Sequence, residues 1–247
     1  MPIRRLGILT PSSNTVLEPM TQAMLAGLDE VSAHFSRFRV TEISLSKAAL
    51  GQFDFEPILT SARLLAEARV DAIAWSGTSG GWLGFEIERE LCRRIRAETR
   101  IPATTSTLAL LEALELTGAR ALGWATPYIG EIQERIIATF AAAGFSCRAE
   151  RHLSDRGNFS FAEIGEDRIE RMVREVAAEK PDAAIIFCTN LRGARLVQRL
   201  EDELDLPIYD SVALALWKAL ALAGADPRRV RNWGRLFSVV PRNDAPA

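Results

Sequence analysis

Short apolar segments alternate with longer amphipathic segments along the whole chain. Residues 5–10, 38–45, 71–76, 121–126 and 183–188 have the apolar or alternating composition of β-strands. Residues 56–68, 84–97, 131–143 and 166–178 have the pattern of helices that bury one face. Strands that alternate with helices in this way predict parallel sheets covered by helices, which is an α/β fold.

Three short motifs occur in the same order in each half of the chain. The first half has Leu9-Thr10-Pro11, Asp71-Ala72 and Ile101-Pro102, and the second half has Ala125-Thr126-Pro127, Asp182-Ala183 and Leu206-Pro207. Apolar helices are predicted after the last motif of each half, at residues 107–116 and 212–222. We interpret this as an internal duplication, with chance similarity between α/β units as the alternative. It predicts one lobe made of residues 1–106 and 212–247 and a second made of residues 107–211.

Aligning the two halves places Gly77 opposite Cys188. The aligned segments are Trp75-Ser76-Gly77-Thr78-Ser79 and Ile186-Phe187-Cys188-Thr189-Asn190. Each segment follows a predicted buried strand, and ligands of open α/β sheets bind at the carboxyl ends of the strands. We therefore expect Gly77 and Cys188 to approach one interlobe cleft from opposite sides.

Composition excludes several classes of function. The formal net charge of -2 and the lack of a basic stripe argue against a nucleic-acid partner. No apolar window is long enough to span a membrane and the N-terminus lacks a signal-peptide pattern, so we expect a cytoplasmic protein. The chain has three cysteines and two histidines, which favours neither a disulfide framework nor a zinc site.

Several motifs, taken together and in order, resemble the aspartate/glutamate racemase superfamily. They are Pro11-Ser12-Ser13-Asn14, Gly77-Thr78-Ser79, Ala125-Thr126-Pro127-Tyr128, Asn158-Phe159, Cys188-Thr189-Asn190 and Gly234-Arg235-Leu236-Phe237. Within the superfamily, the chain most resembles the branch of maleate cis-trans isomerases and arylmalonate decarboxylases. The resemblance implies two pseudo-symmetric Rossmann-like lobes, an active site in the cleft, no metal or organic cofactor, and a small-molecule carboxylate substrate. A homo-oligomer is possible on this basis.

The resemblance also implies a reaction through an enediolate or related carbanion beside a carboxylate. Racemases and isomerases of the family carry one cysteine on each lobe, whereas arylmalonate decarboxylases carry glycine at the first position, as Gly77 does here. Loss of carbon dioxide forms the carbanion, and one thiol suffices to protonate it. The Gly77 and Cys188 pattern therefore favours a decarboxylase of a substituted malonate-like acid. The Ser12-Ser13-Asn14 loop, in contrast, is similar to that of the isomerases.

Hydroxyl groups and backbone amides in a dry pocket suit the stabilisation of carboxylate charge. The predicted substrate-binding residues are Asn14, Ser12, Ser13, Thr78, Ser79, Tyr128, Asn158, Thr189 and Asn190. Leu45, Phe159 and Phe161 are suggested for an apolar pocket around the leaving carboxylate. Cys188 is the predicted proton-handling thiol. A thiol with an unperturbed pKa of about 8.5 needs only a modest shift, and a helix beginning near Gly193 would favour the thiolate.

Other interpretations of these residues are open. Cys188 could be a buried structural thiol, and Ser12, Ser13 and Asn14 could only cap a helix. Two alternative functions follow: a racemase or cis-trans isomerase of a small dicarboxylate, and a carboxylate-binding protein without turnover. Within the decarboxylase hypothesis, Gly77→Cys is expected to introduce racemising activity.

Overall fold

The computed structural model describes residues 3–242. The strands are β1 (Arg4–Pro11), β2 (Val31–Phe38), β3 (Ala72–Trp75), β4 (Ala103–Thr105), β5 (Ala121–Thr126), β6 (Ser146–His152), β7 (Ala183–Ile186) and β8 (Ile208–Asp210). The helices are α1 (Leu17–Met24), α2 (Lys47–Gly51), α3 (Phe55–Glu67), α4 (Gly80–Leu83), α5 (Phe85–Thr99), α6 (Ser106–Thr117), α7 (Gly130–Ala142), α8 (Glu166–Ala177), α9 (Ala194–Leu204) and α10 (Ser211–Leu222). Short 3₁₀ helices occupy Ser160–Glu163, Pro227–Arg229 and Arg235–Ser238.

The strands form two parallel sheets of the same topology. The first has the order β2-β1-β3-β4 and the second the order β6-β5-β7-β8. All strand pairs of both sheets are parallel. The inner strands β3 and β7 are buried along their whole length, as expected for parallel strands covered by helices on both faces. The predicted α/β fold of two pseudo-symmetric lobes is confirmed.

The predicted strand at residues 38–45 is wrong. The edge strand β2 ends at Phe38, and the following residues form an irregular segment. Val40 and Ile43 are buried there, whereas the middle of β2 is only partly buried. The alternating apolar residues of 38–45 therefore belong to a loop that covers apolar surface. The real edge strand, β2, is only partly buried, so its apolar and polar residues do not alternate clearly enough to predict a strand.

The last helices of the two halves, α6 and α10, begin in equivalent ways. The Thr105 hydroxyl accepts a hydrogen bond from the Leu108 amide, and the Asp210 carboxylate accepts from the amides of Val212 and Ala213. Such side chains satisfy amides that have no partner within the helix. Both helices are largely buried, and they pack against each other.

Helix α10 follows the second sheet in the chain but packs against β3 and β4 of the first. We propose on this basis that residues 212–242 belong with the first lobe, while the boundaries of the two lobes stay a prediction. Among the described residues, no helix is long and apolar enough to cross a membrane.

A buried ion pair joins α6 to α10. Lys218 Nζ lies 2.6 Å from Glu112 Oε2, with side chains that are 1% and 11% exposed. The same ammonium group donates to the carbonyl of Arg242 at 2.7 Å. We expect Lys218→Met to lower the free energy of unfolding by about 3 kcal/mol, because the variant leaves the largely buried Glu112 carboxylate without its cationic partner. Urea denaturation at pH 7 measures this loss.

The matched control is the double variant Lys218→Met/Glu112→Leu, which removes both charges. It should recover most of the lost stability. A double variant that is no more stable than the single variant would contradict this account of the pair.

Candidate active site

A small cavity lies between the carboxyl ends of the two sheets. It is lined by Pro11, Val40, Ile43, Phe53, Trp75, Gly77, Thr78, Ser79, Trp82, Tyr128, Asn158, Cys188 and Thr189. Its volume is about 20 Å³, which is enough for about one water molecule. Both lobes contribute to the wall, because Gly77 follows β3 and Cys188 follows β7. The two aligned loops therefore meet at one cavity, as expected from the sequence.

Cys188 lies in this wall with its side chain protected from solvent. It is 2% exposed, and the Asn190 amide donates to its Sγ atom at 3.4 Å. Burial raises the pKa of the Cys188 thiol to about 12, and the nearby Asp210 carboxylate adds to this effect. The amides of Asn190 and Leu191 and the Tyr128 hydroxyl act in the opposite direction. The expected modest shift towards the thiolate is wrong: desolvation outweighs the amides, and the thiol is protonated at neutral pH.

Thr78 and Tyr128 connect the two lobes across the cavity. Thr78 Oγ1 and the Tyr128 hydroxyl oxygen are 2.6 Å apart, and both residues are buried. Burial raises the pKa of Tyr128, so its phenol keeps its proton. One of the two hydroxyl hydrogens forms this bond, and the Tyr128 hydroxyl also lies within hydrogen-bonding reach of the Cys188 thiol.

The Ser79 hydroxyl is already engaged on the protein side. It accepts a hydrogen bond from Trp75 Nε1 at 3.2 Å and donates to Glu88 Oε1 at 3.2 Å. Glu88, on α5, also accepts from the Gly80 amide at 2.7 Å and from the Thr105 hydroxyl. Burial raises the pKa of the Glu88 carboxyl to about 7, although these bonds oppose the shift. Glu88 thus holds the turn that carries Thr78 and Ser79.

Asn14 and Asn190 form hydrogen bonds between the lobes and do not line the cavity. Asn14 Nδ2 donates to Thr189 Oγ1 at 3.1 Å, while its Oδ1 caps α1 at the amides of Val16 and Leu17. Asn190 Oδ1 accepts from the Thr15 and Val16 amides. Asn190 Nδ2 donates to the Asn158 carbonyl at 2.5 Å, so the polar atoms of both side chains are engaged within the protein.

Ser12 and Ser13 also lie behind the cavity wall. Ser13 Oγ donates to the Val40 carbonyl at 2.7 Å and accepts from Asn158 Nδ2 at 2.8 Å. Ser12 Oγ accepts from the Val40 amide at 3.1 Å. Asn158 itself contributes to the lining, as do Thr78, Ser79, Tyr128 and Thr189. Substrate binding by all of these residues stays a prediction.

A segment of the first lobe, residues 39–54, which includes the short helix α2, covers the cavity. It contributes Val40, Ile43 and Phe53 to the wall and reaches the second lobe through two backbone hydrogen bonds. The Ile43 amide donates to the Arg156 carbonyl at 2.9 Å, and the Asn158 amide donates to the Thr41 carbonyl at 3.2 Å. With the segment in this position, the cavity holds about one water molecule.

The apolar residues suggested from the sequence do not line the cavity. Phe159 is 54% exposed, and Phe161 is buried behind Tyr128, with ring centroids 5.6 Å apart. Leu45 belongs to the covering segment but is not part of the wall. Trp75 and Trp82 do line the cavity, and neither is among the residues predicted from the sequence. Their positions beside Gly77-Thr78-Ser79 were the available signal.

Asp210 is a second buried carboxyl group that the sequence did not reveal. It is fully buried at the end of β8, and its Oδ2 atom has no hydrogen-bond partner among the described residues. Burial raises the pKa of Asp210 to about 7. Glu88 and Asp210 thus lie near the Gly77 loop and the Cys188 loop respectively, one in each half. No group of three or more His, Cys, Asp or Glu side chains within residues 3–242 is arranged to hold a metal ion.

Comparison with known proteins agrees with this arrangement. The sequence profile of arylmalonate decarboxylase matches residues 16–237. The chain belongs to the arylmalonate decarboxylase family. It is 28% identical to the arylmalonate decarboxylase of Bordetella bronchiseptica over 185 residues, which are 74% of this chain and 77% of that protein. It is 25% identical to a maleate isomerase of Nocardia farcinica over 246 residues, or 96% of each chain.

Solved structures of both kinds of enzyme share the fold of this family member. A maleate isomerase variant of Pseudomonas putida S16 with maleate superposes with a TM-score of 0.87 and 22% identity, over 97% of this chain and 99% of that one. Unliganded arylmalonate decarboxylase gives a TM-score of 0.80 and 24% identity, over 96% and 100%. The resemblance inferred from the motifs is confirmed. The chain belongs to a family of enzymes, in the branch that contains arylmalonate decarboxylases and maleate isomerases.

The electrostatic link between Asp210 and Cys188 can be tested without a substrate. Asp210→Asn keeps an oxygen that can cap α10 but removes the negative charge. At pH 9, where Asp210 is ionised, we expect alkylation of Cys188 by iodoacetamide to be roughly threefold to tenfold faster in the variant, because the pKa of the thiol falls. Mass spectrometry of the modified peptides measures the rate. The Cys147 peptide is an internal control, and an unchanged Cys188 rate would contradict the link.

Proposed function

We propose that the protein is a cofactor-independent decarboxylase of a substituted malonate-like acid, with Cys188 as the proton donor. The observation that carries the proposal is the single thiol of the cavity wall: Cys188 faces a cavity on whose other lobe Gly77 occupies the aligned position. A reaction that needs one proton on one face of a carbanion fits this arrangement. A reaction that needs two opposed thiols does not.

The proton balance of this reaction matches the state of the thiol. When the carbon–carbon bond to the leaving carboxylate breaks, its electron pair stays on the α-carbon and carbon dioxide departs. The Cys188 S–H then gives its proton to that carbon, and the resulting thiolate regains a proton from solvent. A thiol whose pKa is raised to about 12 is protonated before the reaction begins, so it is ready to act as an acid.

Charge on the remaining carboxylate calls for hydrogen-bond donors in the same cavity. The Thr78 and Tyr128 pair has one hydroxyl hydrogen that is not used in the bond between them, and Tyr128 also contacts the thiol. Donors that are held in place before the charge develops stabilise it without reorganisation. We therefore assign the binding of the retained carboxylate to this pair and to the backbone amides of the loops that follow β3 and β7.

The apolar part of the cavity wall supports the loss of a charged group. Val40, Ile43, Phe53 and Trp82 are buried and largely apolar. A carboxylate pressed against such a surface is poorly solvated, and departure as neutral carbon dioxide relieves this. Closure of the covering segment would place the apolar wall over the substrate.

Isomerisation of a small dicarboxylate is the second candidate. It is supported by the maleate isomerases among the relatives, which match nearly the whole chain, and by the Ser12-Ser13-Asn14 loop. It would need a nucleophile or base other than a thiol at Gly77. Proton NMR of maleate incubated with the enzyme separates the two: formation of fumarate would favour isomerisation, and unchanged maleate would remove it.

The first prediction of the proposal concerns Cys188. Wild-type protein should release carbon dioxide from 2-methyl-2-phenylmalonate or another aryl- or alkylmalonate, and Cys188→Ala should lower kcat by about 10²–10⁴ because the proton donor is lost. Cys92→Ala and Cys147→Ala are matched controls, since neither residue lines the cavity, and both should keep the wild-type rate. Absence of carbon dioxide release from every malonate tested would refute the decarboxylase. Thermal stabilisation by these acids without product would instead indicate a binding protein.

The second prediction concerns the pair across the cavity. Tyr128→Phe removes one of the two hydroxyl groups and should lower kcat by about 10²-fold, as loss of one oxyanion donor does. Thr78→Val should have an effect of similar size, and the double variant should be little worse than either single variant because the hydroxyls act as one unit. Steady-state kinetics of the three variants measures this. Fully additive losses would contradict a shared role.

A further inference from the structure

The indole ring of Trp75 occupies the place beside Gly77. Trp75 ends β3, is 1% exposed and contributes to the cavity wall. Its ring packs against Phe38, with centroids 4.8 Å apart, and its Nε1 donates to Ser79 Oγ at 3.2 Å. The ring is therefore held on one side by apolar packing and on another by a hydrogen bond.

This placement leaves no room for a side chain at residue 77. A Cβ atom built on Gly77 would lie 2.6 Å from Cη2 of Trp75 and closer still to two other atoms of the same ring, whereas real Cβ contacts under 3.0 Å essentially never occur. The obstacle is a rigid aromatic ring rather than the far end of a flexible chain. Even alanine therefore requires the indole to move.

A chain of buried hydrogen bonds resists that movement. Ser79 has one hydroxyl hydrogen, which it donates to Glu88 while it accepts from the Trp75 indole. Glu88 is in turn held by the Gly80 amide and the Thr105 hydroxyl. Displacing the ring would leave a buried N–H without its partner and would disturb the turn that carries Thr78.

We propose that Trp75 is a specificity-determining residue: its indole fills the place of a second thiol across the cavity from Cys188 and so restricts proton transfer to the Cys188 side. The role in specificity rests on the proposed function. It means that Gly77→Cys alone, which the sequence suggested as a route to racemising activity, does not fit this site. Two changes are needed, one that adds the thiol and one that removes the ring.

The proton transfers of racemisation explain why the position across the cavity from Cys188 matters. To racemise a 2-aryl acid, a thiolate on one side takes the α-hydrogen, which leaves an enediolate, and a thiol on the other side gives its proton to the opposite face. The two sulfur atoms exchange protonation states, and no other reactant is consumed. With Cys188 alone, the proton leaves and returns on the same face, so the configuration is kept.

Melting temperatures of single and double variants test, without any substrate, whether the Trp75 indole fills the space beside Gly77. We call this set of measurements the stability cycle. We expect Gly77→Ala to lower the melting temperature by about 5 °C, because the new methyl group overlaps the indole. In a Trp75→Leu background, the same substitution should lower it by less than half as much. Gly130→Ala is the matched control, since the nearest atom to its Cβ is 3.8 Å away, and it should change the melting temperature little in either background. Equal losses for Gly77→Ala in both backgrounds would overturn the proposal.

A stereochemical experiment tests the consequence for specificity. Wild type, Gly77→Cys and Trp75→Leu/Gly77→Cys are incubated with enantiopure 2-phenylpropionate in heavy water, and α-hydrogen exchange and optical purity are followed. We expect the double variant to racemise at least about tenfold faster than the other two proteins, whereas exchange with retention can occur in all three. Equal rates in the two Gly77→Cys proteins would overturn the assigned role. If no protein released carbon dioxide from malonates, the proposed function would fail and the role in specificity with it, while the stability cycle would still decide whether Trp75 fills the place.

Discussion

The contact between the carboxyl ends of the two sheets is the constraint on which the site depends. Each lobe ends an inner strand at this contact, and the loops after β3 and β7 close the cavity together. Hydrogen bonds cross the contact from Asn14 to Thr189, from Asn158 to Ser13 and between Thr78 and Tyr128. Because these bonds are buried, their loss would leave polar groups unsatisfied, and the lobes are held in one relative position.

Desolvation at this contact sets the protonation states of the site. It raises the pKa of Cys188 and keeps the thiol neutral, although backbone amides favour the thiolate. The same effect raises the pKa of Glu88 and Asp210, two buried carboxyl groups near the Gly77 loop and the Cys188 loop. Neither is paired with a cation in its hydrogen-bond network, so burial wins over the bonds that each accepts. A site of this kind suits an acid that gives a proton more than a nucleophile that needs a charge.

The two halves share one backbone fold but differ in the side chains at the ends of β3 and β7. In alignment, the first half ends its inner strand with Trp75 before Gly77, and the second half ends its strand with Ile186 before Cys188. The larger residue, Trp75, comes two positions before a glycine, and the smaller residue, Ile186, comes two positions before the cysteine. The backbone symmetry of the lobes is therefore broken by side-chain volume, so that one lobe carries a thiol at this place and the other an indole ring.

The sequence alone determined the α/β class, the duplicated halves, the family resemblance and the two loops, because alternating patterns and strand-end motifs are local properties of the chain. It did not determine β2, whose exposed edge pattern is weak, or the covering segment, whose apolar residues imitate a strand. The raised pKa of Cys188, the engagement of Ser79 by Glu88 and the indole beside Gly77 depend on packing between segments far apart in the chain. Only the tertiary structure decides these, since burial and steric overlap arise when the elements come together.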